Sequence, residues 1–361
     1  MNGMLEAIYY EPLFLLFTLL LSIVATGKYK ARNNNITIYV TIILISIFLS
    51  LFIGFRPLNS IFADMWNYYY AWGREIYFGF NWSDSNYIFD NIYKGMAASG
   101  ISVNSFFILM ASVYFIVAGL ACIKLFRKNA LIAYAVFLGA FSTFSYGVNG
   151  IKAGAASSIF LLALAYWENK KFAALLLFLS LGFHHSMIMP VCAYVVSLLY
   201  KNDKHYLYIW IICLIVSATH FTSIMGFLGE FLANKDEHGA SYLLTEGDAA
   251  YITGFRLDFI LYSSAPVLLG YVSIFKRGFI NNTYSFIWRT YLLTNSVWLL
   301  CMYASYTNRI AYLSWGFYPF VLLYPFVHEN SSMNIKSNLN KIVYLHFLFT
   351  VFMNLIYKYI R

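Results

Sequence analysis

Runs of about 20 apolar residues, nearly free of charge, recur along this chain from Pro12 to Tyr357, and each can cross a bilayer core of about 30 Å. A chain built this way has few choices. Within lipid every backbone N–H and C=O needs an internal partner, so such runs fold as helices. Only 11% of the 361 residues are charged and 61% are hydrophobic, against roughly 25% charged in a soluble domain. Mean hydropathy is +0.66. Soluble enzymes, disordered tails and coiled coils are excluded. The expected class is all-α: one polytopic helical membrane domain over residues 1–361, with about ten full spans and one shorter hairpin.

The net charge of +9 would suggest nucleic acid in a soluble chain. Here the basic residues lie in short loops between the runs and read as topology signals, so no nucleic-acid partner is expected. Cys122, Cys192, Cys213 and Cys301 sit inside apolar runs with no CxxC pair. Neither a disulfide framework nor a zinc site is indicated, and no cofactor is expected.

The first run, Ile8 to Ala25, follows Glu6 and contains Glu11 instead of opening on a basic region. It reads as a retained span and not as a signal peptide. The groups Lys28/Lys30/Arg32, Lys124/Arg127/Lys128 and Lys170/Lys171 mark cytoplasmic loops by the positive-inside rule, which puts the N-terminus outside. The apolar stretch Phe172 to Tyr200 lies between two basic pairs, Lys170/Lys171 and Lys201/Lys204, so both its ends are expected inside. Two arms of about 14 residues reach about 21 Å each, less than the bilayer core, so the tip Phe183-His184-His185-Ser186 is expected to be recessed. On this parity 15 of the 24 basic residues face the cytoplasm and 12 of the 15 acids face outward. A single tilted helix over 172–200 fits the charges less well. Lys358 and Arg361 break the pattern on the hairpin parity. Two long outer loops, Arg56 to Asn104 and Thr222 to Arg256, are expected to cover a cavity.

Four cations stand at the outer ends of spans, where the rule disfavours them: Arg56, Lys152, Arg256 and Arg309. One reading pairs each with an outward acid such as Asp64 or Asp258, or lets it reach lipid phosphate. The other makes them a common cationic cavity for a phosphate-rich ligand, which at the lipid boundary means a lipid-linked phosphate or pyrophosphate. His184 lies beside that level, and histidine is the usual general base near neutral pH. His185 adjoins it but cannot share its face, so the two make a poor metal pair. Asp64 and Tyr68 are spaced i, i+4 and share a face if 63–72 is helical. Trp66, Tyr69, Tyr70 and Trp72 read as an interfacial aromatic belt. Gly147, Gly150, Gly154, Ser157 and Ser158 form a small-residue face suited to close helix packing.

The order Gly54-Phe-Arg56 with Asp64 and Tyr68, then Asn149-Gly-Ile-Lys-Ala-Gly, then Glu168-Asn-Lys-Lys, then Phe183-His-His-Ser, then Asn308-Arg-Ile-Ala-Tyr312 resembles the EpsG-like branch of the O-antigen polymerases (Wzy type). The likeness runs from about Phe52 to Phe326. It implies a GT-C-like bacterial inner-membrane glycosyltransferase, independent of metal, that joins repeats carried on undecaprenyl pyrophosphate outside the cytoplasm. That family usually has arginine where Lys152 stands, and lysine keeps the charge but loses the bidentate fork. In this reading Arg56, Lys152, Arg256 and Arg309 hold the pyrophosphate, His184 or Asp64 is the base, and Tyr68, His185, Ser186 and Tyr312 support them. The expected partners are the lipid-linked oligosaccharide, membrane lipids, and a chain-length regulator and flippase of the same pathway. A lipid-linked oligosaccharide flippase and a sugar-modifying membrane acyltransferase remain alternatives. The first would be expected to show internal repeats, and the second would not need several outward cations.

Overall fold

The computed structural model describes residues 2–29, 34–220, 254–304, 307–328 and 338–359. Among these every regular element is helical: α1 Asn2–Tyr29, α2 Asn35–Gly54, α3 Ala63–Phe78, α4 Phe89–Ala98, α5 Val103–Phe126, α6 Ala130–Leu138, α7 Phe141–Val148, α8 Ile151–Ala165, α9 Lys170–Phe183, α10 Ile188–Leu199, α11 Asp203–Ala218, α12 Leu257–Tyr271, α13 Asn282–Leu300, α14 Thr307–Trp315, α15 Tyr318–Val327 and α16 Leu339–Tyr359. The polytopic all-helical membrane class read from the sequence is therefore the one that folds. Its division into spans differs. Six helical stretches among the described residues are long and apolar enough to cross a membrane, and shorter apolar helices lie over Ile151–Ala165 and His185–Leu199.

The chain divides into two compact units, residues 1–184 with 337–361, and residues 185–336. In the first, α5 is the central helix, with α2 and α8 packed against it and α9 against α8. The small-residue face of α8 also packs closely on α7, as the sequence indicated: a Cβ on Gly154 would lie 2.6 Å from the Tyr146 carbonyl oxygen of α7. Ser158 Oγ donates to the Val113 carbonyl of α5 at 3.2 Å.

The apolar run 130–145 forms two helices, α6 and the start of α7, broken at Gly139 and Ala140. No proline announces the break, and the freed carbonyls need partners inside lipid. They come from α16, far along the chain. His346 Nε2 lies 3.1 Å from the Val136 carbonyl oxygen, and Thr350 Oγ1 donates to that of Gly139 at 2.7 Å. The outer segment 56–104, read as a loop, contains α3 and α4. Trp72, assigned above to an interfacial belt, is instead buried. Its Nε1 donates to the Ile101 carbonyl at 3.2 Å and its ring meets Tyr93 edge-on. Tyr69 and Tyr70 are exposed, as a belt requires.

In the second unit α13 is central, with α10, α11, α12, α14 and α15 packed on it. It has 19 residues yet carries Arg289, Thr290, Thr294, Asn295 and Ser296 in buried positions. A hydropathy rule written for lipid-facing helices passes over such a helix, because its neighbours are protein on nearly every side. Asn295 joins four helices. It accepts from Trp210 Nε1 at 2.8 Å and donates to Ser263 Oγ at 3.2 Å and Ser314 Oγ at 3.0 Å. Ser263 Oγ also accepts from Trp315 Nε1 at 2.8 Å. Such interhelical bonds are worth about 0.6 to 2 kcal/mol each in membranes. The stretch Thr307–Val327, long and apolar enough to cross a membrane as one unit, is interrupted between α14 and α15 at Gly316 and Phe317.

Candidate functional site

The stretch 172–200 does not run as one helix. α9 stops at Phe183, His184 turns extended at φ −151° and ψ 122°, and a short 3-10 turn over His185–Met187 leads into α10. The two helices, of 14 and 12 residues, measure about 21 and 18 Å at 1.5 Å per residue, each short of a bilayer core. His184, His185 and Ser186 are all half-buried at this break.

The end of α9 is held on two sides. Ser180 Oγ donates to the Ala156 carbonyl of α8 at 2.8 Å. The helix end frees the Gly182 carbonyl, which accepts from the Ile88 N–H at 2.9 Å. Only glycine permits that approach, because a Cβ there would come within 2.6 Å of the Ile88 side chain. Tyr87, just before α4, adds an O–H bond to the Phe178 carbonyl at 3.1 Å. His184 thus stands on a scaffold fixed by the outer segment.

That segment also gathers the other candidates of the first unit. Lys152, in the first turn of α8, pairs with Asp90 in the first turn of α4 at 3.4 Å, and its ammonium lies 5.2 Å from the Phe89 ring centroid. Tyr68 packs on the same Phe89 ring at 5.8 Å. Asp64 and Tyr68 both fall within α3, so the spacing read from the sequence does put them on one helical face. Arg56 is 2% exposed. It donates to the carbonyls of Ile53 at 2.9 Å and Val148 at 2.8 Å, and its guanidinium lies 4.8 Å from the Phe107 ring. Its Nε has no hydrogen-bond partner. Burial pushes its pKa down to about 10, partly offset by Tyr10 and Tyr68, so it remains cationic at neutral pH. Asp90 and Phe89 were missed in the sequence. Asp90 lies 62 positions from Lys152, and nothing local in the sequence links the two.

In the second unit Arg256 makes a two-point contact with Asp258, Nε to Oδ1 at 2.9 Å and Nη2 to Oδ2 at 2.5 Å, over the Phe259 ring at 3.8 Å. The pairing reading offered for this residue therefore holds, with an acid it had named. Arg309 is exposed in the first turn of α14. Tyr312 is buried one turn later against Trp315. Most of the outer loop 222–256 lies outside the described residues, as do the side chains of Lys28, Lys30, Arg32, Lys358 and Arg361.

Arg289 is buried inside α13. It donates to Asp203 Oδ1 at 2.8 Å, while Ser285, one turn earlier, donates to Oδ2 at 3.0 Å. Their i, i+4 spacing was visible in the sequence, but the acid they share was not.

No curated protein and no solved structure was found to match this chain. A family model does match, that of the EpsG family, over residues 38–361. With nearly the whole described fold inside those limits, the chain belongs to the EpsG family.

Proposed function

We propose that this protein joins undecaprenyl-pyrophosphate-linked oligosaccharide repeats by glycosyl transfer on the outer side of a bacterial inner membrane. The observation that carries this reading is the family match over residues 38–361, which supports a polysaccharide polymerase-like role. In the proposed step the acceptor hydroxyl oxygen attacks the anomeric carbon of the donor sugar. The bond from that carbon to the pyrophosphate oxygen breaks, and undecaprenyl pyrophosphate leaves with the bonding pair. His184 takes the hydroxyl proton, with Asp64 the second candidate. No metal ion is required by this chemistry, because fixed cations can stabilise the charge developing on the leaving group.

The four cations do not offer their charge equally. Lys152 and Arg256 would share theirs between the phosphate and the carboxylates they already meet, and Arg56 is committed to two backbone carbonyls. Arg309 is the exposed member. Deleting the gene and resolving surface polysaccharide on a gel tests the reading. Single capped repeats are expected, whereas loss of all repeats would indicate a flippase instead. Complementation with Arg309→Ala should leave the single-repeat pattern at normal protein abundance, with chain growth slowed about 10²-fold as for loss of one stabilising donor. Normal chains from that variant would remove Arg309 from the site.

A further inference from the structure

One end of the first unit carries a lateral cleft of about 420 Å³, within the range of about 300 to 1,000 Å³ seen for small-ligand pockets. Its floor and walls are apolar: Leu120 and Ile123 of α5, Leu162 of α8 and Phe172 of α9. Leu120 and Phe172 are 40% and 37% exposed, so the cleft opens sideways, where lipid chains run past a spanning bundle. The rim is of a different character. Lys124, Arg127, Tyr39 and Tyr166 ring it, and none of the lining residues is acidic.

Of the two cations, Lys124 is held by an aromatic ring. Lys124 Nζ sits 4.5 Å from the Tyr166 ring centroid, and that ring is braced edge-on by Phe172 at 4.8 Å. Neither Lys124 nor Arg127 is ion-paired with a carboxylate among the described residues. Arg127 caps α5 with φ 49°, a positive value that suits glycine and strains a longer side chain. Backbone strain of this kind clusters at ligand clamps and switch regions. The cleft lies where α2 begins, α5 ends, α8 ends and α9 begins. Lys128, Lys170 and Lys171 follow in the same turns. By the positive-inside rule such a cluster of basic residues at helix ends belongs at the headgroup level of one leaflet.

We propose that this cleft binds one anionic glycerophospholipid of the surrounding membrane. Lys124 and Arg127 meet the phosphate, the Tyr39 and Tyr166 hydroxyls reach the polar headgroup, and an acyl chain lies along Leu120, Ile123, Leu162 and Phe172. The match is one of charge and shape together: a mobile phosphate needs cations, and only a lipid also needs the open apolar wall. This site is separate from the residues assigned to polymerisation.

Native mass spectrometry of the purified full-length protein, titrated with phosphatidylglycerol or phosphatidylcholine, tests it. The wild type should bind one phosphatidylglycerol in preference to phosphatidylcholine. A cation near the membrane surface contributes enough that Lys124→Gln should weaken binding about fivefold, and Lys124→Gln with Arg127→Gln about thirtyfold. Leu162→Trp, which fills the cleft and leaves both charges, should weaken it as well. Lys124 is exposed, so its single variant keeps the test valid if the others fold poorly. Glycerol 3-phosphate without acyl chains should not displace the lipid. Equal binding of the two lipids, unchanged binding in Lys124→Gln, or displacement by glycerol 3-phosphate would overturn the proposal.

Discussion

Replacing His184 by glutamine should slow chain growth by about 10²- to 10⁴-fold, the usual contribution of a general base, while leaving the protein as abundant as the wild type. Glutamine keeps much of the size and hydrogen bonding of histidine but takes no proton near neutral pH. Part of the structural work at the break is done by backbone groups and by neighbouring residues. The backbone N–H of His184 closes the helix on Ser180, Ser180 anchors α9 to α8, and Gly182 receives Ile88. None of these contacts uses the imidazole. His184→Ala should fall to the same low rate. If the glutamine variant extends chains at the wild-type rate, the base is elsewhere, and Asp64 and His185 become the candidates. If instead both variants vanish from the membrane, His184 is structural.

Arg289→Met should lower stability by about 3 kcal/mol, at the low end of the range for breaking a buried ion pair. The side chain of Arg289 is 7% exposed and that of Asp203 18%, so the stranded carboxylate keeps some access to water. Methionine fills much of the same volume and isolates the loss of charge. The cost falls on Asp203, left with Ser285 and the N-terminal end of α11, where a carboxylate is mildly favoured. Adding Asp203→Asn should therefore recover most of the loss, since a buried pair often contributes little against a neutral replacement of similar shape. Thermal unfolding in detergent would read both variants. A double variant as unstable as Arg289→Met would show that the arginine acts through packing on Tyr206 and the Ser197 carbonyl and not through the ion pair.

What the sequence revealed and what it hid divide along one physical line. Local patterns were legible. The apolar runs specify helices, the basic pairs flanking 172–200 favour a hairpin over one tilted helix, and the break falls at His184. Arg256 and Asp258, two residues apart, could be paired in advance. Properties that depend on distant partners were not legible. The break at Gly139 is tolerated because His346 and Thr350, more than 200 positions away, supply hydrogen bonds to α6 and its end. Lys152 meets Asp90, and Arg289 meets Asp203, only once the helices pack. Trp72 looked interfacial beside Trp66 and Tyr70 because neighbouring helical residues face different surroundings, and one sequence does not say which side is covered.

The same division explains the candidate site. The charge pattern singled out Arg56, Lys152, Arg256 and Arg309 as misplaced for topology. It could not say that Arg56 would be spent largely on backbone carbonyls or that Lys152 would sit between Asp90 and an aromatic ring. Those details distinguish the four, with Arg309 the exposed one.

The central claim is that this one chain forms the glycosidic bond between lipid-linked repeats. Its most direct measurement uses the purified protein in lipid vesicles with undecaprenyl-pyrophosphate-linked single repeats, a chelator present and no divalent metal added. The account expects a ladder of lengthening oligosaccharides, with one undecaprenyl pyrophosphate released for each repeat joined. Single repeats that stay single, or that cross the vesicle membrane without being joined, would contradict it.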